Sequence, residues 1–193
     1  MSLAAEKQAV QPLTYEQYLA EGETNRRYDI IDGVRHWMPN PPVRHQDVLF
    51  NIAAAFKAFG RATNAGRMVV AACDALIDYS PLKTRQPDVL FISHARFGSR
   101  DPLDPGALDP APELVVEVLS LSDTKAVLSG KLRDFRRVDV QECWIVDLEA
   151  QAVEVMRLSP EREETLALYS LGKIVKSVVF PELAVAVAEI FAV

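Results

Sequence analysis

Cysteine is scarce in this chain: Cys73 and Cys143 are the only two in 193 residues. Two cysteines cannot build a disulfide framework and lack the spacing of a zinc site, so they read as buried thiols in a reducing cytosol. Glycine is scarce too, at 8 residues. The absence of a glycine-rich phosphate loop and of a dinucleotide fingerprint excludes ATP and NAD sites of those kinds. No Gly-x-Ser-x-Gly frames Ser120 or Ser122, which argues against a serine hydrolase. No apolar run reaches the roughly 18–20 residues needed to span a bilayer, so no membrane partner is expected. Residues 1–12, with Glu6, Lys7 and Gln8, lack the apolar stretch of a signal peptide, and the expected location is cytoplasmic. An excess of positive charge is also missing. Lys and Arg number 21 against 27 Asp and Glu, a net charge of −6. Coating nucleic acid by bulk charge is thereby disfavoured, leaving room only for a local basic patch.

What is present suits one ordinary domain. Hydrophobic residues make up 49% and charged residues 25%, which excludes wholesale disorder. No repeat, low-complexity tract or heptad run interrupts the chain. The division expected is a flexible lead-in over 1–12 and a single domain over 13–193. Thr14 with Gln17 forms a capping box for a short helix through Tyr15, Tyr18 and Leu19. Residues 28–38 read as a strand, a turn at Asp32-Gly33 and a returning strand. From His45 to Phe59 the apolar residues follow a helical period, with Gly60 and Gly66 bracketing the exit. Strands are expected at 67–72, 75–79 and 88–92, followed by a proline-rich surface loop over 93–112 with room for a short helix. The continuous apolar run Leu114 to Leu119 predicts a central strand covered on both faces. A helix over 125–138 follows, with Leu128, Leu132 and Phe135 inward. Residues 143–147 and 152–156 form a hairpin, 166–169 and 174–180 are further strands, and 187–191 closes the chain. The fold class is α/β (α+β), a mixed curved sheet flanked by helices.

Glu117 is the most informative residue, because a carboxylate in an apolar strand is costly to bury unless paired, hydrogen-bonded or bound to a metal. A structural arginine partner is one reading. Asp88 supplies another: it opens a strand after Pro87 and stands 29 residues before Glu117. Two carboxylates on neighbouring strands make a sparse oxygen site that suits Mg²⁺, which keeps several waters. Lys131 lies beside Leu128 and Phe135 on the inward helix face and either snorkels outward or serves the end of the sheet. His45 caps its helix or contacts phosphate, Asp74 is a neighbour of the site or a turn residue, and His36 and His94 read as surface residues.

An ordered set of segments resembles the Uma2 family, a branch of the PD-(D/E)XK nuclease fold, from about Leu13 to Phe191. The set is Tyr28–Gly33, His45-Gln46, Gln86–Phe91, Pro112–Ser120, Lys131 and Glu142–Asp147. The resemblance makes Asp88 the Asp of the first motif and Glu117 the acid of the second. Leu119 stands where a lysine is usual, and Lys131 matches a helical lysine that replaces it. Asp29 matches an acid of the first hairpin, one methylene shorter than the usual Glu. Val34, Leu121, Val127 and Phe135 depart from the family pattern. The resemblance implies a restriction endonuclease-like fold and a Mg²⁺-dependent DNA endonuclease, with Mn²⁺ as substitute and a homodimer as assembly. Asp88 and Glu117 would hold the metal, with the Val118 carbonyl, while Lys131 would orient water and Asp29 would assist. Arg133, Arg136, Arg137 and His45 are the candidate nucleic-acid contacts, if they surround the carboxylate cleft; a solvated helix face is the other reading of the arginines. The alternative from another class is an inactive nucleic-acid-binding or assembly domain on the same fold.

Overall fold

The computed structural model describes residues 11–22, 24, 26–70, 73–120 and 123–192. Most of the expected lead-in, the far end of the strand expected over 67–72, and the turn residues Leu121 and Ser122 lie outside the described residues.

The N-terminal part forms as its local signals require. Thr14 caps α1 (Tyr15–Glu21), and the reciprocal bond from the Thr14 N–H to the Gln17 side chain, at 3.0 Å, completes the box. Strands β1 (Tyr28–Ile31) and β2 (Val34–Trp37) pair antiparallel around Asp32 and Gly33, whose φ angles are 52° and 74°. That is the primed hairpin turn that matches strand twist. Gly33 has a second reason to be glycine, since a Cβ there would come within 2.6 Å of the Pro12 side chain. With β4 (Ala75–Tyr79) and β5 (Leu82–Arg85) the hairpin makes a four-stranded sheet in the order β2-β1-β5-β4. Strand β5 is missing from the sequence expectations. Both Thr84 and Arg85, on its opposite faces, are buried, so no apolar alternation marks it, and the arginine is buried because it pairs with the carboxylates of Asp29 and Asp134.

The larger sheet has the order β10-β9-β8-β7-β6-β3. It contains β3 (Gly66–Val70), β6 (Val89–Ser93), β7 (Leu114–Val118), β8 (Glu142–Asp147), β9 (Ala152–Leu158) and β10 (Glu163–Tyr169). Its one parallel pair is β7 with β8, joined by the crossover helix α4 (Lys125–Arg137). On one face α2 (Val43–Thr63) packs Val48, Ile52 and Phe56 against Val116 and Trp144. On the other, Leu132 and Phe135 of α4 pack with Leu90, Val115 and Ile145. Both sides of β7 are therefore covered, and its unbroken apolar run follows. The architecture is the mixed one expected, with helices on both faces, and the short helix α3 (His94–Phe97) falls in the proline-rich loop.

The C-terminal part differs from expectation in extent. Strand β11 (Ile174–Lys176) pairs with β12 (Ala184–Ala186), and residues 177–180 leave the strand. The cause is Glu142. Its carboxylate, fully buried, accepts from Trp144 Nε1 (2.6 Å), Ser177 Oγ (2.7 Å) and the N–H groups of Val178 and Val179 (2.9 Å each), turning the chain around itself. Leu183, Val185, Val187, Ile190 and Phe191 then join the α2-side core, the last part through the short helix α5 (Val187–Ile190). Among the described residues no helix is long and apolar enough to cross a membrane. Both cysteines are free thiols, and burial pushes Cys73 up to about 11.

Glu142→Ala strands four donors at once, the buried Trp144 indole and Ser177 hydroxyl and two half-buried backbone N–H groups. The expected loss is about 3 kcal/mol or more in urea denaturation, with the transition remaining cooperative.

Candidate active site

The site grows from strand register. Val89 on β6 faces Val116 on β7, and the Asp88 N–H donates to the Val116 carbonyl at 3.1 Å. One residue beyond that pair lie Asp88, just before β6, and Glu117, still on β7. Both carboxylates border one cavity of about 310 Å³, together with Lys131, His45, Arg27 and a wall formed by residues 38–42.

Each acid has its own balance of charge. Asp88 is buried, which works against its charge, but His45, Arg27 and the Val118 N–H outweigh burial and hold the carboxyl below its ordinary value. Arg27 Nη1 donates to Asp88 Oδ1 at 2.7 Å, and the Val118 N–H donates to Oδ2 at 2.7 Å. Glu117 sits deeper. Burial drives its carboxyl upward, and the attraction of Lys131 only partly offsets that. Lys131 Nζ donates to Glu117 Oε2 at 2.5 Å; burial opposes the ammonium, yet Glu117 and then Asp29 raise it above its ordinary value. Glu117 Oε1 is buried and has no hydrogen-bond partner. An unanswered carboxylate oxygen beside a second carboxylate is what a bound cation would satisfy, so the residues present fit a divalent ion. The acidic set is sparse: among the described residues no three His, Cys, Asp or Glu gather into a metal cage. A small hard cation that keeps its waters is the kind such a site takes.

The other residues singled out from sequence fall in different places. His45 does not cap α2, whose N-cap is Pro42. The side chain turns inward instead, with Nε2 3.0 Å from the Val118 carbonyl oxygen and 3.5 Å from Asp88 Oδ2. Asp29 is buried behind the cavity. Its oxygens accept from Arg85 Nη1 (2.7 Å) and the Gln86 N–H (3.0 Å), and it bears on Lys131 and Glu117 through charge. Asp74 is buried and accepts from the Tyr18 hydroxyl at 2.9 Å, while His36 and His94 are exposed as expected. The three arginines of α4 do not border the cavity. Arg136 donates to the carbonyls of Ser159 and Pro160, Arg137 donates to Asp78, and Arg133 is exposed.

Arg26, Arg27 and Arg35 flank the first hairpin and in the sequence stand only for a local positive field; the structure puts Arg27 on Asp88, and Arg85 has no place in the sequence expectations. Arg85 joins Asp29 to Asp134, donating to the latter from Nε (2.8 Å) and Nη2 (2.6 Å), with Lys83 Nζ 3.3 Å from the other oxygen. A signal existed for this network: Asp134 is the lone acid among the basic residues of α4, three positions after Lys131.

The model of the Uma2 family, described as "Putative restriction endonuclease", matches residues 13–188. A solved structure described as "a putative nuclease belonging to DUF820", from Anabaena variabilis, is similar with a TM-score of 0.74 and 18% identity. The similarity covers 94% of this chain and 98% of that one, and at such identity it shows a shared fold. No curated protein matches.

Removing Arg85 would leave Asp29 a buried charge without its ion-pair partner and Asp134 with Lys83 alone. Arg85→Met is expected to cost roughly 3–5 kcal/mol, read as a lowered denaturation midpoint.

Proposed function

The chain belongs to the Uma2 family, and from that membership and the site geometry we propose that it is a Mg²⁺-dependent phosphodiesterase acting on DNA as an endonuclease. The observation that carries this reading is the buried, unpartnered Oε1 of Glu117 in a cavity shared with Asp88 and Lys131. Asp88 and Glu117 would hold the ion, Mg²⁺ or in its place Mn²⁺. Bound there, it would polarise a phosphodiester and favour ionisation of a water.

The protein's own contribution is positional and electrostatic. The Val118 N–H fixes one oxygen of Asp88, so the carboxylate has a single orientation. Asp29 assists at one remove: it holds the Gln86 N–H and Arg85, two and three residues before Asp88. Lys131 presents its ammonium at Glu117 from a helix packed on the sheet. There it can orient an attacking water and offset negative charge developing on phosphorus oxygens. His45 is placed to support the Val118 carbonyl and Asp88. A homodimer acting in the cytoplasm suits cleavage of both strands of a duplex and leaves the two cysteines reduced.

The test is isosteric. In Asp88→Asn and Glu117→Gln, Mg²⁺-dependent nicking of plasmid DNA is expected to fall by at least about a hundredfold, with thermal unfolding still cooperative. Nicking at the wild-type rate in either variant defeats the assignment. A wild-type chain that binds DNA but cleaves it with neither Mg²⁺ nor Mn²⁺ would establish the binding or assembly reading instead.

A further inference from the structure

We propose that Arg27 is a phosphate-binding residue of the active site, and that in the cation-free protein it stands in for the metal on Asp88. This rests on the nuclease reading and gives one of the arginines flanking the first hairpin a specific role.

The geometry comes first. Arg27 immediately precedes β1, and its carbonyl accepts from the Met38 N–H at 2.9 Å, so the hairpin holds its backbone at the rim of the cavity. Its guanidinium is a fork with two engaged prongs. Nη1 reaches Asp88 Oδ1 at 2.7 Å and Nη2 reaches the Gln86 carbonyl at 2.9 Å, while Nε is buried and without a partner. The side chain is 20% exposed, against 5% for Asp88. It is therefore the cation of the site nearest to solvent, whereas Lys131, at 10%, lies under Glu117.

Charge then decides what the fork can do. Each carboxylate pairs with a protein cation, Arg27 on Asp88 and Lys131 on Glu117. Arg27 competes with any divalent ion for the negative charge of Asp88. Once Asp88 is shared with such an ion, Arg27 loses part of its hold there and keeps its bond to the Gln86 carbonyl as a pivot. An arginine retains its charge on release, and its planar donors match a phosphate oxygen pair. The group that enters this cavity with compensating charge is the phosphodiester itself. Arg27 thus changes partner from carboxylate to phosphate as the site is loaded.

The experiment separates the two roles by giving them opposite signs. Arg27→Gln removes the competitor for Asp88, so Mg²⁺ alone, titrated by calorimetry without DNA, is expected to bind severalfold more tightly. The same variant is expected to cleave plasmid DNA about a hundredfold or more slowly at saturating Mg²⁺, because the phosphate has lost its fork. Arg27→Lys, which keeps charge without the fork and guards against a misfolded first variant, should bind Mg²⁺ as wild type does and recover only part of the cleavage. Weaker Mg²⁺ binding in Arg27→Gln would show that Arg27 merely positions Asp88 and would overturn the proposal. So would unchanged cleavage at saturating Mg²⁺ in either variant. Wild-type protein that neither binds Mg²⁺ nor cuts would instead bring down the nuclease reading on which the proposal stands.

Discussion

Two carboxylates buried side by side at the end of a strand pair are the constraint around which this molecule is organised. Asp88 and Glu117 border one cavity at the end of β6 and β7, where burial penalises each charge and the charge of Asp88 raises Glu117 further. A fold that keeps such a pair must surround it with positive groups and oriented N–H dipoles. Here Arg27, Lys131, His45 and the Val118 N–H come from four different places in the chain to do so. One lone pair direction, at Glu117 Oε1, is left unanswered by protein. The proposed ion site rests on that oxygen, in a cavity shared with Asp88 and Lys131.

The smaller sheet has its role in the same terms. Taken alone, β2-β1-β5-β4 resembles an accessory layer, with exposed Trp37 at its edge. Its contribution is a second shell of charge: Asp29 from β1 and Arg85 from β5, tied to Asp134 on α4. The crossover helix is thereby clamped to both sheets on the face that presents Lys131. Glu142 does comparable work at the other end of β7 and β8, where four donors close on it and no oxygen is left over. The contrast with Glu117 shows that burial of an acid is not itself a functional sign; Glu117 differs in turning an unsatisfied oxygen toward a cavity it shares with Asp88 and Lys131.

Much of the fold was legible because its signals are local. The Thr14–Gln17 capping box, the Asp32-Gly33 turn, the helical period of α2 and the two-faced apolar run of β7 all depend on neighbours within a few residues. Strand β5 escaped because its buried positions are polar, and its partners lie 49 and 56 residues away in sequence. The strand expected to reach residue 180 stops at Lys176 for the same reason, since Glu142 captures the following N–H groups from 36 and 37 residues away. His45 was misplaced as a cap because helix starts are judged on adjacent residues, whereas its side chain answers to Val118 and Asp88 across the core.

Residue types alone determined that this chain carries a mixed sheet with a central buried strand, and that Glu117 in that strand needs an explanation. They offered Asp88 and Lys131 only as candidate companions, and it was the family resemblance that gave each a role. Which cations meet which acids was decided only in three dimensions. Arg27 and Arg85 were found to serve the site, while Arg136 and Arg137, the more conspicuous basic pair, were spent on Ser159, Pro160 and Asp78. The physical reason is that charge pairing depends on distance and burial, and both are set by how strands and helices pack rather than by how residues follow one another along the chain.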